Sequence, residues 1–217
     1  MRIVTLDDLY EMEAQHDPSL VFHGTASCFT EQIEAQGWPV DWRPYAWEDI
    51  EYVMALGEKV QVYASAFLLH NYETQRKRGP RGAYFTYEVI GAVQYSGATG
   101  GETVRCALRL AMQITEVLAA KSGYEDELRR LTTLIATWKT WVFESVRIVY
   151  AVRATDDAFP DEDFEGIVSR SERSFAHQRR KVGEVVQKQG DLWATQSIDP
   201  SAIIAKATLS SLPIEAL

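Results

Sequence analysis

The stretch LVFHGTASCFTEQIEAQGW, residues 20–38, sets His23, Gly24 and Thr25 at the end of an apolar run. A histidine closing a buried strand costs free energy unless its ring nitrogens find partners. A glycine beside it indicates that something comes close to the backbone there. The plain structural alternative is a satisfied core histidine followed by a tight turn. Two further stretches hold residues able to do chemistry. GAYFTYEVIGAVQY (82–95) carries Tyr84 and Tyr95, eleven residues apart, and GDLWATQSIDPSAIIAKATL (190–209) carries Asp191. Read singly, the tyrosines fit core aromatics, and Asp191 fits a turn after Gly190. SGATGG (96–101) has the glycines of an anion cradle ahead of a helix but lacks the lysine of a P-loop, so it reads as a flexible turn. The four histidines and two cysteines show no metal-ligand spacing.

The elements that must position these residues follow from periodicity. Residues 5–15 read as a short acidic helix and SLVFHG as a strand. Ser27 is placed to cap the next helix, and Gly37 to follow its last turn. Residues 46–56 and about 59–75 read as helices, ended by GPRG. AYFT (83–86) reads as a short strand and 87–96 as a helix with Val89, Ala92 and Val93 facing inward. Two long amphipathic helices follow: Val104, Leu108, Ala111, Ile114 and Leu118 stripe 102–121, and Leu128, Leu131, Ile135, Trp138 and Val142 stripe 125–142. VRIVYAVRAT (146–155) is a strand. GEVVQKQ, DLWATQ and AIIAKATL supply short strands near the C-terminus, with IDPSA as a turn. Strands at both ends with helices between indicate an α+β fold rather than a regular βαβ succession.

With 217 residues and 46% apolar content, the chain can build one sizeable domain, with room for an insertion. No run of 18 apolar residues exists, and the N-terminus MRIVTLDDLYEMEAQ is acidic where a signal peptide is basic and then apolar. A cytoplasmic chain is the expectation, with Cys28 and Cys106 as buried thiols. The net charge of −9 lies wholly in residues 1–56, which hold 11 acidic and 2 basic side chains; the remainder is neutral. Two basic clusters stand in that neutral part: RKRGPR, with Arg76, Lys77, Arg78 and Arg81, and RSERSFAHQRRK, with Arg179, Arg180 and Lys181. Each is either a solvated face or a docking surface for an acidic partner.

Taken together, the three stretches resemble the motifs of the ADP-ribosyltransferase fold family, which includes poly-ADP-ribose polymerases, diphtheria-type toxins and RNA 2′-phosphotransferases. The first motif is a strand ending in His-Gly-Ser or His-Gly-Thr, then a helix and a glycine, as in 20–38. The second is a Gly-x-Tyr-Phe strand with a second tyrosine eleven residues after the first, as in Tyr84 and Tyr95. The third is an acidic residue opening a late strand, followed by a proline-containing turn and another strand, which places Asp191. Two positions depart from the pattern. Ala92 stands where a serine is usual, and Asp191 where a glutamate is usual, with Gln189 or Glu184 as alternative counterparts.

The resemblance implies a single domain over 1–217, a split β-sheet core and a helical insertion at about 101–142. It implies NAD as substrate, no metal, and cleavage of the nicotinamide–ribose bond through an oxocarbenium-like transition state. In that reading His23 bonds a ribose hydroxyl, and Gly24 and Thr25 read the carboxamide. Tyr84 and Tyr95 sandwich the nicotinamide, and Asp191 favours the developing positive charge. The acceptor would be a macromolecule docked through the basic clusters, nucleic acid ahead of protein. The family also implies a toxin or phage-defence role, with an antitoxin or regulatory protein as a further partner. Rival readings are an NAD glycohydrolase, a non-catalytic NAD or ADP-ribose-binding module, and a relative of the RNA 2′-phosphotransferases. The last needs several arginines at the site, for which Arg43 and Arg81 are the candidates.

Overall fold

The computed structural model describes residues 1–15, 17, 19–40, 42, 45–77, 83–153, 191–194 and 196–209, the side chains of 75–77 and 191–193 excepted. It is an α+β protein with a six-stranded sheet in the order β1-β6-β4-β2-β3-β5. The strands are β1 (Arg2–Val4), β2 (Leu20–Ala26), β3 (Tyr84–Thr86), β4 (Arg147–Arg153), β5 (Asp191–Trp193) and β6 (Ile203–Leu209). The helices are α1 (Leu6–Ala14), α2 (Thr30–Gln36), α3 (Trp47–Val60), α4 (Ala66–Asn71), α5 (Val89–Ser96), α6 (Glu102–Leu118) and α7 (Glu125–Lys139). Among the described strands only β1 and β6 run parallel; the other neighbour pairs are antiparallel.

The chain divides into two compact units. One holds the sheet with α1, α2 and α5. On one sheet face Leu20 and Phe22 of β2 pack with Val149, Ala151, Ala205 and Ala207 of the central strands, and with Leu9, Val89 and Ala92 of the helices. Thr5 starts α1 through a capping box with Asp8, each bonding the other's backbone N–H. The other unit holds α3, α4, α6 and α7 around Trp47, Ile50, Leu110, Ile114, Leu131 and Trp138. The helical part is therefore larger than the 101–142 block expected from the sequence, because α3 and α4 belong to it.

Several local expectations change. Strand β1 was not foreseen: three residues ahead of a capped helix are too few to show alternation. The helix expected over 59–75 is interrupted, because α3 ends at Gln61 in the left-handed conformation (φ 64°) and α4 starts only after Ser65 caps it. A wide π-helical turn, Tyr72–Lys77, follows α4. Ser27 does not cap α2. It ties the end of β2 to the start of β4, its backbone N–H donating to the Val146 carbonyl and its hydroxyl accepting from the Val146 N–H. Cys28 and Cys106 form no disulfide and are half-buried rather than buried. No helix among the described residues is long and apolar enough to cross a membrane.

The sheet is unevenly zipped at its centre. Strands β2 and β4 pair over seven residues, Leu20↔Arg153 to Ala26↔Arg147. Strands β2 and β3 pair only at Phe22↔Thr86. Beyond that pair the backbone ladder between them stops, and the candidate site lies there.

Candidate functional site at the parting of two strands

Alternation along β2 places Phe22 on the α5 face and His23 on the opposite face. His23 is buried, 6% exposed, and its Nδ1 lies 2.7 Å from the main-chain oxygen of Tyr84. A carbonyl only accepts, so Nδ1 carries the proton and Nε2 keeps its lone pair. This side-chain bond spans the strands where their backbone ladder has stopped. Burial pushes the imidazole pKa down to about 3, so the ring is neutral at physiological pH. Nε2 has no partner among the described residues.

Aromatic rings enclose it. The centroids of Trp38, Phe85 and Trp42 lie 5.0, 5.1 and 6.1 Å from that of His23. Trp38 is fully buried and is clamped by a two-way backbone bridge with Ile198, 2.8 Å in each direction. The chain reaches Trp38 through Gly37 at φ 67°, where a Cβ would sit 2.0 Å from the Ile198 oxygen. Gly37 is thus needed for the turn after α2 and also for the approach of the second strand segment. Behind Trp38, the Tyr150 hydroxyl donates to Glu34, which also accepts from Lys206 at 2.7 Å. Burial and the Glu34 carboxylate both push the Tyr150 phenol up.

Tyr84 and Tyr95 meet on the α5 side, not around His23. Their rings are edge-to-face with centroids 4.4 Å apart, and their hydroxyls are 2.9 Å apart. A flat ring sandwiched between two others needs about 7 Å between them, twice the van der Waals stacking distance. The parallel slot that the resemblance implies is therefore closed.

On its Cα side Gly24 lies directly against α5. A Cβ at Gly24 would stand 1.8 Å from the Ala92 oxygen and 2.8 Å from the Ser96 nitrogen. Gly24 is needed for close helix–strand packing, and Ala92, fully buried, fits the same contact. Thr25 is buried beside it and pairs with Ile148. The last turn of α5 is held by Arg147 of β4, whose guanidinium donates to the Val93 carbonyl and, at 3.2 Å, to the Ser96 hydroxyl. Those two residues flank Tyr95.

Asp191 opens β5 and pairs with Thr86. One cross-strand row, Phe22–Thr86–Asp191, thus places His23, Tyr84 and Asp191 on three neighbouring strands. The structure brings together the His23 ring and the Tyr84 backbone, and separately the two tyrosine rings. It does not put the His23 and tyrosine rings on one face. Arg43, Arg78, Arg81, Arg179, Arg180, Lys181, Glu184 and Gln189 lie outside the described residues, and Arg76 and Lys77 are described only in backbone. Sequence reasoning missed Trp38 and Trp42. The signal available was a tryptophan directly after the glycine that ends α2, where a turn hands the chain back to the sheet.

No protein-family model, curated protein or solved structure matches the chain.

Proposed function

We propose that the protein binds NAD where β2 and β3 part and breaks its nicotinamide–ribose bond, passing ADP-ribose to a macromolecular acceptor. The observation that carries this reading is the state of His23. It is a neutral, buried imidazole, oriented by the Tyr84 carbonyl, whose acceptor nitrogen has no partner among the described residues. A ribose hydroxyl donating to Nε2 satisfies that nitrogen and fixes the sugar. The C1′–N bond then breaks with its electron pair leaving on the nicotinamide nitrogen, and positive charge spreads over C1′ and the ring oxygen. Asp191, on the strand beside Tyr84, supplies the carboxylate that favours this charge. A nucleophilic oxygen of the acceptor attacks C1′ and loses its proton.

The acceptor we favour is nucleic acid, docked through Arg76–Arg81 and Arg179–Lys181. A toxin or defence effector held in check by a regulatory protein is the biological setting this chemistry suits. A second reading, a module that binds NAD or ADP-ribose without cleaving it, draws on the closed tyrosine pair. Incubation with NAD, followed by assay of free nicotinamide with and without added RNA or protein, separates these readings. Transfer predicts release stimulated by the acceptor and ADP-ribose recovered on it; hydrolysis predicts release without it. Binding without release leaves the module. For an RNA acceptor, log affinity should fall with log salt by about 0.7 per phosphate contact. Neutralising Arg179, Arg180 and Lys181 together should reduce transfer and spare hydrolysis.

A further inference from the structure

Trp38 is an unassigned polar group beside His23. It is fully buried, yet its indole Nε1–H has no partner among the described residues. An unpaired buried donor is costly, as is the unpaired acceptor on His23. The two belong to rings with centroids 5.0 Å apart, inclined at 66°. They are complementary, one donor and one acceptor, and both rings are neutral. The rings of Phe85 and Trp42 also stand beside the imidazole. An anion cannot satisfy His23, because a phosphate or carboxylate oxygen without a proton has nothing to donate to Nε2. A hydroxyl answers both groups, donating to His23 Nε2 and accepting from Trp38 Nε1.

We propose that Trp38 and His23 together bind one sugar hydroxyl of the ligand, which makes Trp38 a second residue selecting a hydroxylated ribose. This rests on the NAD reading and extends it to a residue outside the three motifs. It assigns the His23 side of the parting to the neutral ribose, leaving phosphate groups to be held elsewhere.

The test uses the full-length protein with ADP-ribose, which cannot lose nicotinamide, and with its counterpart carrying deoxyribose in place of the distal ribose. Calorimetry measures affinity, and nuclear magnetic resonance follows the Trp38 indole N–H, assigned through its own side-chain couplings. The expected result is that ADP-ribose shifts this resonance and slows its solvent exchange, while the deoxy compound binds more weakly and leaves it in place. Trp38→Phe, which removes the donor, should weaken ADP-ribose binding about tenfold, equivalent to about 1.4 kcal/mol. Should that variant fail to fold, the resonance measurement on the unaltered chain still decides. If ADP-ribose binds and the Trp38 N–H is unmoved, the proposal is overturned and the NAD reading survives. An N–H already protected and unchanged by ligand indicates a buried water only and also overturns it. If neither NAD nor ADP-ribose binds, both readings fall.

Discussion

At the scale of single residues, the burial of His23 has a consequence for stability. In the unfolded chain it takes a proton near pH 6.5; in the folded protein it does so only near 3. Between those values the unfolded chain binds more protons, so stability rises with pH across that window. The contribution is fully present above about 6.5 and is lost as pH falls toward 3, with an upper bound of about 5 kcal/mol. His23→Leu should flatten this part of the profile, as read by urea midpoints at several pH values; parallel profiles for the two proteins would mean that His23 is not buried neutral. The tyrosine pair gives a second prediction. Tyr95→Phe removes one hydroxyl from a closed, half-exposed pair and keeps a stacking face. Stability should change by less than about 1 kcal/mol, and NAD affinity should hold or rise as the rings part more readily. Tyr95→Ala should weaken NAD binding by up to about tenfold, the worth of one stacking contact. Calorimetry checks both. That Tyr84 and Tyr95 lie close together was legible from their spacing. The orientation of the tyrosine rings was not, because it depends on how closely α5 approaches Gly24, which no spacing encodes.

At the scale of elements, α5 is held closely by its neighbours. Gly24 and Ala92 let it lie on β2, Gly91 meets Thr86, and Arg147 caps its last turn. A guanidinium at a helix C-terminus also complements the helix dipole. Arg147→Met should therefore destabilise the protein by about 1.5–3 kcal/mol, the range for charge-assisted hydrogen bonds. Arg147→Lys should lose less, since it keeps the charge, and chemical denaturation ranks the variants. Equal stability of Met and wild type would remove the capping role. Helices α6 and α7 were readable because their apolar stripes repeat over four turns or more, enough for the period to emerge. Strand β1 was too short for that. The break at Gln61 was hidden because a left-handed residue other than glycine leaves no mark in composition.

At the scale of the whole molecule, the order of the three stretches in the chain does not say how the sheet arranges them. Strand β4 lies beside β2 through seven pairs, and β3 touches β2 through one. The looser contact is with the strand that carries Tyr84. His23 takes up the Tyr84 carbonyl there, and Phe22–Thr86–Asp191 forms a row from segments far apart in sequence. Side-chain alternation within each segment could be read in advance; pairing between segments could not, since it depends on long-range register. The central claim is that NAD is cleaved at this parting, and it makes His23 and Asp191 act on one event. The most direct measurement is nicotinamide released from NAD, in the presence of RNA, by the unaltered protein, by His23→Leu and by Asp191→Asn, each confirmed to be folded. The account predicts measurable release by the unaltered chain, a loss of at least about tenfold in His23→Leu, and a loss of about 100-fold or more in Asp191→Asn, the scale of removing one electrostatic stabiliser. Absence of release by the unaltered protein, or release unchanged in both variants, would contradict it.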